Sequence, residues 1–277
     1  MEKQPPIQIT ADGLIVLRAD ELKMEAVGAS DSYASWFVTE DGRRLAALAS
    51  ETDPVFAAFN LARYRWFSEQ LESVVTTFSQ FVVLGAGYDT RFLQLEAFKT
   101  GYSRVFEVDV ASTLSIKRQV LQHHGVALPE WLKPIPCDLD DDDLRGALEH
   151  AGFQPTRASF IMAEGLFYYL NADTLLALMS PSGLGLAAGS VLQFDFWSNA
   201  RIERLNERIF ERRGKRLFKA FPFPKEVEDL KVALTDLGYK QIEITPLDAL
   251  ARRYWSPPHA WTEGDGWFLC KCEFAGD

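Results

Sequence analysis

Between Asp20 and Val75 the apolar positions recur at helical spacing, and no strand-like run interrupts them. Arg43–Ala49 and Pro54–Leu71 are the clearest of these stretches, with Asp53–Pro54 as a helix start. After Ser79 the pattern changes. Phe81–Leu84 is a short continuous apolar run that stops at Gly85–Ala86–Gly87, as expected of a strand buried on both faces. Val105–Val108, Pro134–Cys137, Ser159–Ala163 and Ser190–Phe196 repeat the pattern. Helical stretches Ala111–His123, Asp141–Ala151 and Asp173–Met179 separate them. Such alternation predicts a parallel sheet covered by helices on both faces.

The tail departs from that rhythm. A helix over Lys225–Leu237 precedes strands over Lys240–Leu247 and Trp267–Phe274, the latter after a loop containing Pro257 and Pro258. Two late strands without a long helix between them predict one antiparallel strand. The expected architecture is α/β: about seven mostly parallel strands with helices on both faces and an N-terminal helical cap. No linker-like run divides the chain, so residues 1–277 are read as one domain, with the cap over 20–78 and the core over 79–277.

Charge narrows the partners. The chain has 29 basic and 39 acidic residues, a net charge of −10, which opposes a phosphate backbone as the main partner. The basic cluster from Arg201 to Arg216 alternates with Glu203, Glu207 and Glu211 and reads as a solvated helix face. No run reaches the length a membrane span needs, and the N-terminal segment lacks the apolar region of a secretory leader. The three cysteines, Cys137, Cys270 and Cys272, suit a reducing compartment, so a cytoplasmic protein is expected. Cys270 and Cys272 alternate along a strand and should share a face. The histidines are scattered, and no metal-ligand spacing occurs.

The candidate chemistry lies at strand ends, where ligands bind in open α/β sheets. Gly85 and Gly87 let the backbone turn sharply and approach a ligand without a Cβ. Asp109 closes the second strand, twenty-two residues beyond Gly87, where a carboxylate can accept from both hydroxyls of a ribose. A dinucleotide fingerprint requires a third glycine, but Thr90 occupies that position and Asp89 would oppose a pyrophosphate. S-adenosylmethionine carries a sulfonium and an amino group instead of phosphates, so acids beside the turn fit it better. Asp138 follows the third strand directly, within reach of an adenine amino group. Glu164 ends the fourth, where a buried charge needs a partner: a cationic ligand group or an arginine.

With these residues placed, the chain resembles the leucine carboxyl methyltransferase family. That family includes methyltransferases of a phosphatase C-terminal leucine and bacterial O-methyltransferases of small molecules. The matching stretches are Ala62–Phe67, Leu84–Arg91, Phe106–Asp109 with Lys117 following, Cys137–Leu139, and Glu164–Leu166 with Tyr169–Leu170. The resemblance implies a class I, Rossmann-like methyltransferase fold with S-adenosylmethionine as cofactor. It also implies roles: Arg63 on the cofactor carboxylate, Gly85 and Gly87 along the methionine part, Asp109 on the ribose, Asp138 and Leu139 at the adenine, and Glu164 at the amino group. Phosphatase-directed members carry a Lys-Arg-Phe stretch in the cap. Ser35–Trp36–Phe37 takes the comparable position without the lysine, which points to a small-molecule acceptor.

Methyl transfer from a sulfonium is an in-line displacement, governed by alignment in a dry pocket. A carboxylate acceptor is already ionised at neutral pH, whereas an alcohol or phenol benefits from a general base. No histidine or paired carboxylate accompanies the motifs as such a base, and His123 and His124 read as surface residues, so the sequence favours O-methylation of a carboxylate over a hydroxyl. Tyr33, Trp36, Tyr168, Tyr169, Trp197 and Arg201 are the candidates for the acceptor pocket, with Arg201 suited to an acceptor carboxylate. Three alternatives stand beside this reading: methylation of a modified tRNA base, methylation of a protein C-terminal carboxylate, and a non-catalytic protein that keeps the cofactor fold.

Overall fold

The computed structural model describes residues 6–99, 103–255 and 266–276. Its first part is helical: α1 (Pro6–Arg18), α2 (Glu21–Ala26), a 3-10 turn over Ala34–Phe37, α3 (Glu40–Thr52) and α4 (Phe56–Val74). The helical layer therefore begins well before Asp20. The α1 sequence is rich in β-branched residues and contains Gly13, a weak intrinsic helix former. Packing against α3 supplies what propensity lacks. The contact is close: a Cβ on Gly42 would sit 2.5 Å from the Asp12 carbonyl oxygen. Thr39 caps α3 by accepting from the Gly42 amide at 2.9 Å.

The core alternates as expected. After β1 (Gln80–Leu84) come the short helices α5 (Arg91–Gln94) and α6 (Glu96–Lys99), then β2 (Arg104–Asp109) and α7 (Ala111–His123). Next are β3 (Leu132–Pro136), α8 (Leu144–His150), β4 (Phe160–Ala163), α9 (Ala172–Met179), α10 (Pro181–Leu184) and β5 (Val191–Trp197). The chain continues through α11 (Asn199–Arg213), α12 (Glu226–Asp236), β6 (Tyr239–Pro246), α13 (Leu247–Tyr254) and β7 (Trp267–Phe274). Residues Pro257, Pro258 and His259 lie outside the described residues.

The seven strands form one sheet in the order β3-β2-β1-β4-β5-β7-β6. β1 runs parallel to β2 and β4, while β7 runs antiparallel to both β5 and β6. This is the α/β sheet with one reversed strand that the periodicity predicts. All five residues of β1 and all seven of β5 are buried, which explains their largely apolar character, with Gln80, Gln193 and Asp195 as the buried polar exceptions. Phe81, Phe92, Phe98 and Phe160 pack with one another beneath the sheet, with Phe81 and Phe98 centred 5.0 Å apart. The three cysteines are buried and free, and Cys270 and Cys272 share a face of β7. Strand order reverses between β1 and β4, which places a crevice at their carboxyl ends.

Candidate functional site

The chain leaves β1 through a turn that only glycine accommodates easily. Gly85 and Gly87 have φ values of 64° and 49°, in the left-handed region. A Cβ on Gly85 would also approach Leu166 Cδ1 to 2.9 Å. The Gly87 amide donates to Asp109 Oδ2 at 2.8 Å, and the Val110 amide donates to Oδ1 at 2.8 Å. Asp109 is thus locked beside the turn at the end of β2. Burial pushes its carboxyl above the usual range, against the pull of those two amides. Nearby, Lys117 is buried and donates to Glu107 at 2.7 Å and to the Asp89 carbonyl.

Opposite the turn lies a buried network of charges. Glu164, one residue beyond β4, accepts from Arg63 Nε at 3.1 Å and from Arg91 Nη2. Arg63 is 3% exposed, and its Nη1 donates to the Tyr168 hydroxyl at 2.9 Å and to Asp195 at 3.1 Å. Asp195 also accepts from the Gly165 amide at 2.6 Å and from Trp267 Nε1 at 2.9 Å. Arg91 Nε donates to Asp89 at 3.1 Å. Burial alone would raise Glu164, but Arg91 and Arg63 hold it below the ordinary carboxylate range. Asp195, buried more completely, is pushed upward despite Arg63. Two arginines therefore satisfy the strand-end charge at Glu164 within the protein itself.

Two cavities meet here. The first, of about 90 Å³, is lined by the glycine turn, Asp89, Asp109 and Glu164, and by the guanidinium groups of Arg18, Arg63 and Arg91. The second, of about 130 Å³, is mostly apolar and is walled by Leu45, Leu48, Tyr168, Tyr169, Trp197 and Phe218. Leu14, Asn60 and Gly165 line both, so the two share a wall. The Tyr168 ring stacks on Trp197 at 3.8 Å while its hydroxyl reaches Arg63. Burial drives that phenol well above its usual pKa, so it stays protonated. Helix α1 roofs both cavities: Ala11, Leu17 and Arg18 face the first, Gly13 faces the second, and Leu14 faces both.

Several expected residues lie elsewhere. Arg201 is fully buried rather than turned to the second cavity; it pairs with Asp53 and lies 5.0 Å and 4.8 Å from the ring centres of Trp197 and Trp267. Arg201 thus departs from the solvated helix face expected of its basic cluster. Elsewhere in the cluster, Arg216 pairs with Glu203 at 2.9 Å and Arg208 donates to the Thr52 carbonyl at 2.7 Å. Tyr33 and Trp36 line neither of these cavities: Trp36 stacks on the exposed His124 at 4.3 Å and meets Tyr33 edge-on. Asp138 and Leu139 also lie outside both. They follow the edge strand β3, and Asp138 is exposed, its carboxylate accepting from the Asp140 amide at 3.2 Å. Asp143 caps α8, accepting from the Gly146 amide at 3.0 Å.

The sequence reading missed Arg18, Asn60 and Asp195 as members of this site. For Asp195 a signal exists, since an acid inside the apolar run Val191–Trp197 has to be paired. Arg18 offers none, because nothing in the pattern brings α1 to the turn.

A family model described as leucine carboxyl methyltransferase matches residues 13–181. A protein of Frankia alni, named "Putative S-adenosyl-L-methionine-dependent methyltransferase", is 34% identical over 210 residues, covering 70% of each chain. One of the same name from Mycolicibacterium smegmatis is 30% identical over 267 residues, covering 91% of this chain and 80% of the other. Among solved structures, a DUF574 family protein from Streptomyces avermitilis superposes with a TM-score of 0.62 at 14% identity, covering 96% of this chain and 97% of that one. At that identity the likeness concerns the fold.

Proposed function

Since the chain belongs to the leucine carboxyl methyltransferase family and is an S-adenosylmethionine-dependent methyltransferase, we propose that it methylates a carboxylate oxygen on a small apolar molecule. One observation carries this reading. The apolar cavity adjoins the charged one, and Asp53 is the sole carboxylate among the described residues lining it. Asp53 is held by Arg201, and the Tyr168 phenol resists ionisation. Neither of these two groups is free to take a proton from an alcohol, and no histidine is among the described lining residues, whereas a carboxylic acid arrives ionised.

The charged cavity fits the cofactor chemically. Its acids and guanidinium groups match an amino-acid zwitterion, and Asp109 matches a ribose. The same acids would repel the pyrophosphate of a dinucleotide. When bound, the cofactor supplies an electrophilic methyl group on a sulfonium. Asp109 holds the ribose, Gly85 and Gly87 allow the backbone to approach the methionine part, and Glu164 receives the amino group. Arg63 braces Glu164, Asp195 and Tyr168 at the shared wall, while Tyr168, Tyr169 and Trp197 enclose the acceptor and exclude water.

The test is an incubation with isotope-labelled S-adenosylmethionine and a panel of apolar carboxylic acids, each matched with its alcohol and phenol. Base-labile methyl esters, identified by mass spectrometry, are expected from the acids. Label found only in methyl ethers would refute the carboxylate assignment.

A further inference from the structure

We infer that the side-chain oxygen of Asn60 faces the sulfonium methyl group of the cofactor and favours that cation over the neutral thioether product. The inference rests on the two-cavity reading above, under which the reactive methyl stands at the wall the cavities share. Three of the described residues line both cavities: Leu14, Asn60 and Gly165. Leucine and glycine bring no polar side chain, and the Gly165 amide is spent on Asp195 at 2.6 Å. In the second cavity, the Tyr168 hydroxyl already accepts from Arg63 at 2.9 Å. Asn60 is therefore the polar side chain at the junction.

One contact orients it. Asn60 lies in the second turn of α4, and its Nδ2 donates to the Phe56 carbonyl one turn earlier, at 2.7 Å. Only the amide nitrogen can donate to a carbonyl, so this bond fixes which end of the amide is left over. That end is Oδ1, which has no hydrogen-bond partner among the described residues. Asn60 is 5% exposed, and the surface it keeps opens on the two cavities. Stability does not call for an amide here. Asparagine is a weak helix former, and a buried amide oxygen without a donor is costly. The surrounding Ala58, Phe59, Leu61 and Ala62 are all buried and apolar, so a leucine would suit the helix better. An amide oxygen does accept from polarised C–H groups. A methyl on a positively charged sulfur is such a donor, and the thioether left after transfer is not.

The experiment is calorimetric titration, without acceptor, of wild type, Asn60→Leu and Asn60→Ala, the last standing in if Asn60→Leu does not fold. The ligands are S-adenosylmethionine, S-adenosylhomocysteine and sinefungin, which has an ammonium-bearing carbon in place of the methyl-bearing sulfur. Sinefungin should weaken about tenfold, as loss of a charged hydrogen bond implies. S-adenosylmethionine should weaken about threefold, as loss of a carbon-donor contact implies. S-adenosylhomocysteine should change less than about twofold on the same scale. Parallel weakening of all three would mean that Asn60 only shapes the cavity and would overturn the inference, as would an unchanged preference for the two cationic ligands. A wild type that binds none of them would remove the cofactor site itself, and the inference with it.

Discussion

The two cavities share a wall but are built by opposite means. The first is charged, and most of its groups sit at or beside strand ends, where sheet topology fixes them: Gly85 and Gly87 after β1, Asp109 at the end of β2, Glu164 after β4. The second is apolar and is lined mostly by helical residues from α1, α3, α4 and α11, with the Phe167–Tyr169 turn, Trp197 at the end of β5 and Trp267 at the start of β7. Geometry set by a sheet can be kept to a fraction of an ångström, as electrostatic recognition of one ligand requires. A wall of helical side chains can be refitted residue by residue. On the reading proposed above, the charged cavity would be the fixed half of the site and the apolar cavity the half that sets specificity.

The sharpest attack on this contrast is removal of Asp195. Asp195→Ala strips buried Arg63 of an ion pair and leaves the Gly165 amide and Trp267 Nε1 without their acceptor. A loss of about 3–5 kcal/mol is expected, measured by urea unfolding; a loss below about 1 kcal/mol would mean the network is not the rigid element. Next comes Asp109→Ala, which should weaken S-adenosylhomocysteine about tenfold or more by calorimetry. In the second cavity, which Ile209 of α11 also lines, Ile209→Trp should raise the acceptor KM about tenfold, the size of a packing change in a binding pocket. It should leave S-adenosylhomocysteine affinity nearly unchanged, and parallel losses in both would break the division of labour.

The smallest effect is a pH dependence. The folded-state pKa values of Glu164 and Asp89 are lowered, so their stabilisation is complete above their ordinary values near 4 and fades as pH falls through the folded ones. Glu164→Gln should start less stable than wild type but lose less between pH 5 and roughly pH 3 on this account. Parallel acid limbs in urea titrations would show that Glu164 is not part of that linkage.

How much of this was legible in the sequence follows the same divide. The strands stood out because burial on both faces writes an unbroken apolar run, and Asp109 and Glu164 stood out because strand ends are where such runs meet charge. The Ala111–His123 helix matched its periodicity to the residue. Helix α13 was hidden because its Leu247 reads equally well as the last residue of the preceding strand. Arg201 looked like its exposed neighbours, since helical spacing does not reveal which arginine turns inward to Asp53. Tyr33 and Trp36 were drawn to the acceptor pocket by their aromaticity alone; Trp36 stacks instead on His124 at the end of α7, and Tyr33 packs edge-on against Trp36. Arg63 was expected at a carboxylate and meets two, both belonging to the protein.

The roof formed by α1 couples the two halves thermodynamically. Leu14 touches both cavities, so the free energy with which this helix docks enters two binding equilibria at once. Linkage then makes the coupling reciprocal: by whatever factor one occupant favours the docked helix, it raises the affinity for the other by the same factor. A close point in the α1–α3 part of that docking surface is Gly42, where a single added methyl group would meet the Asp12 carbonyl.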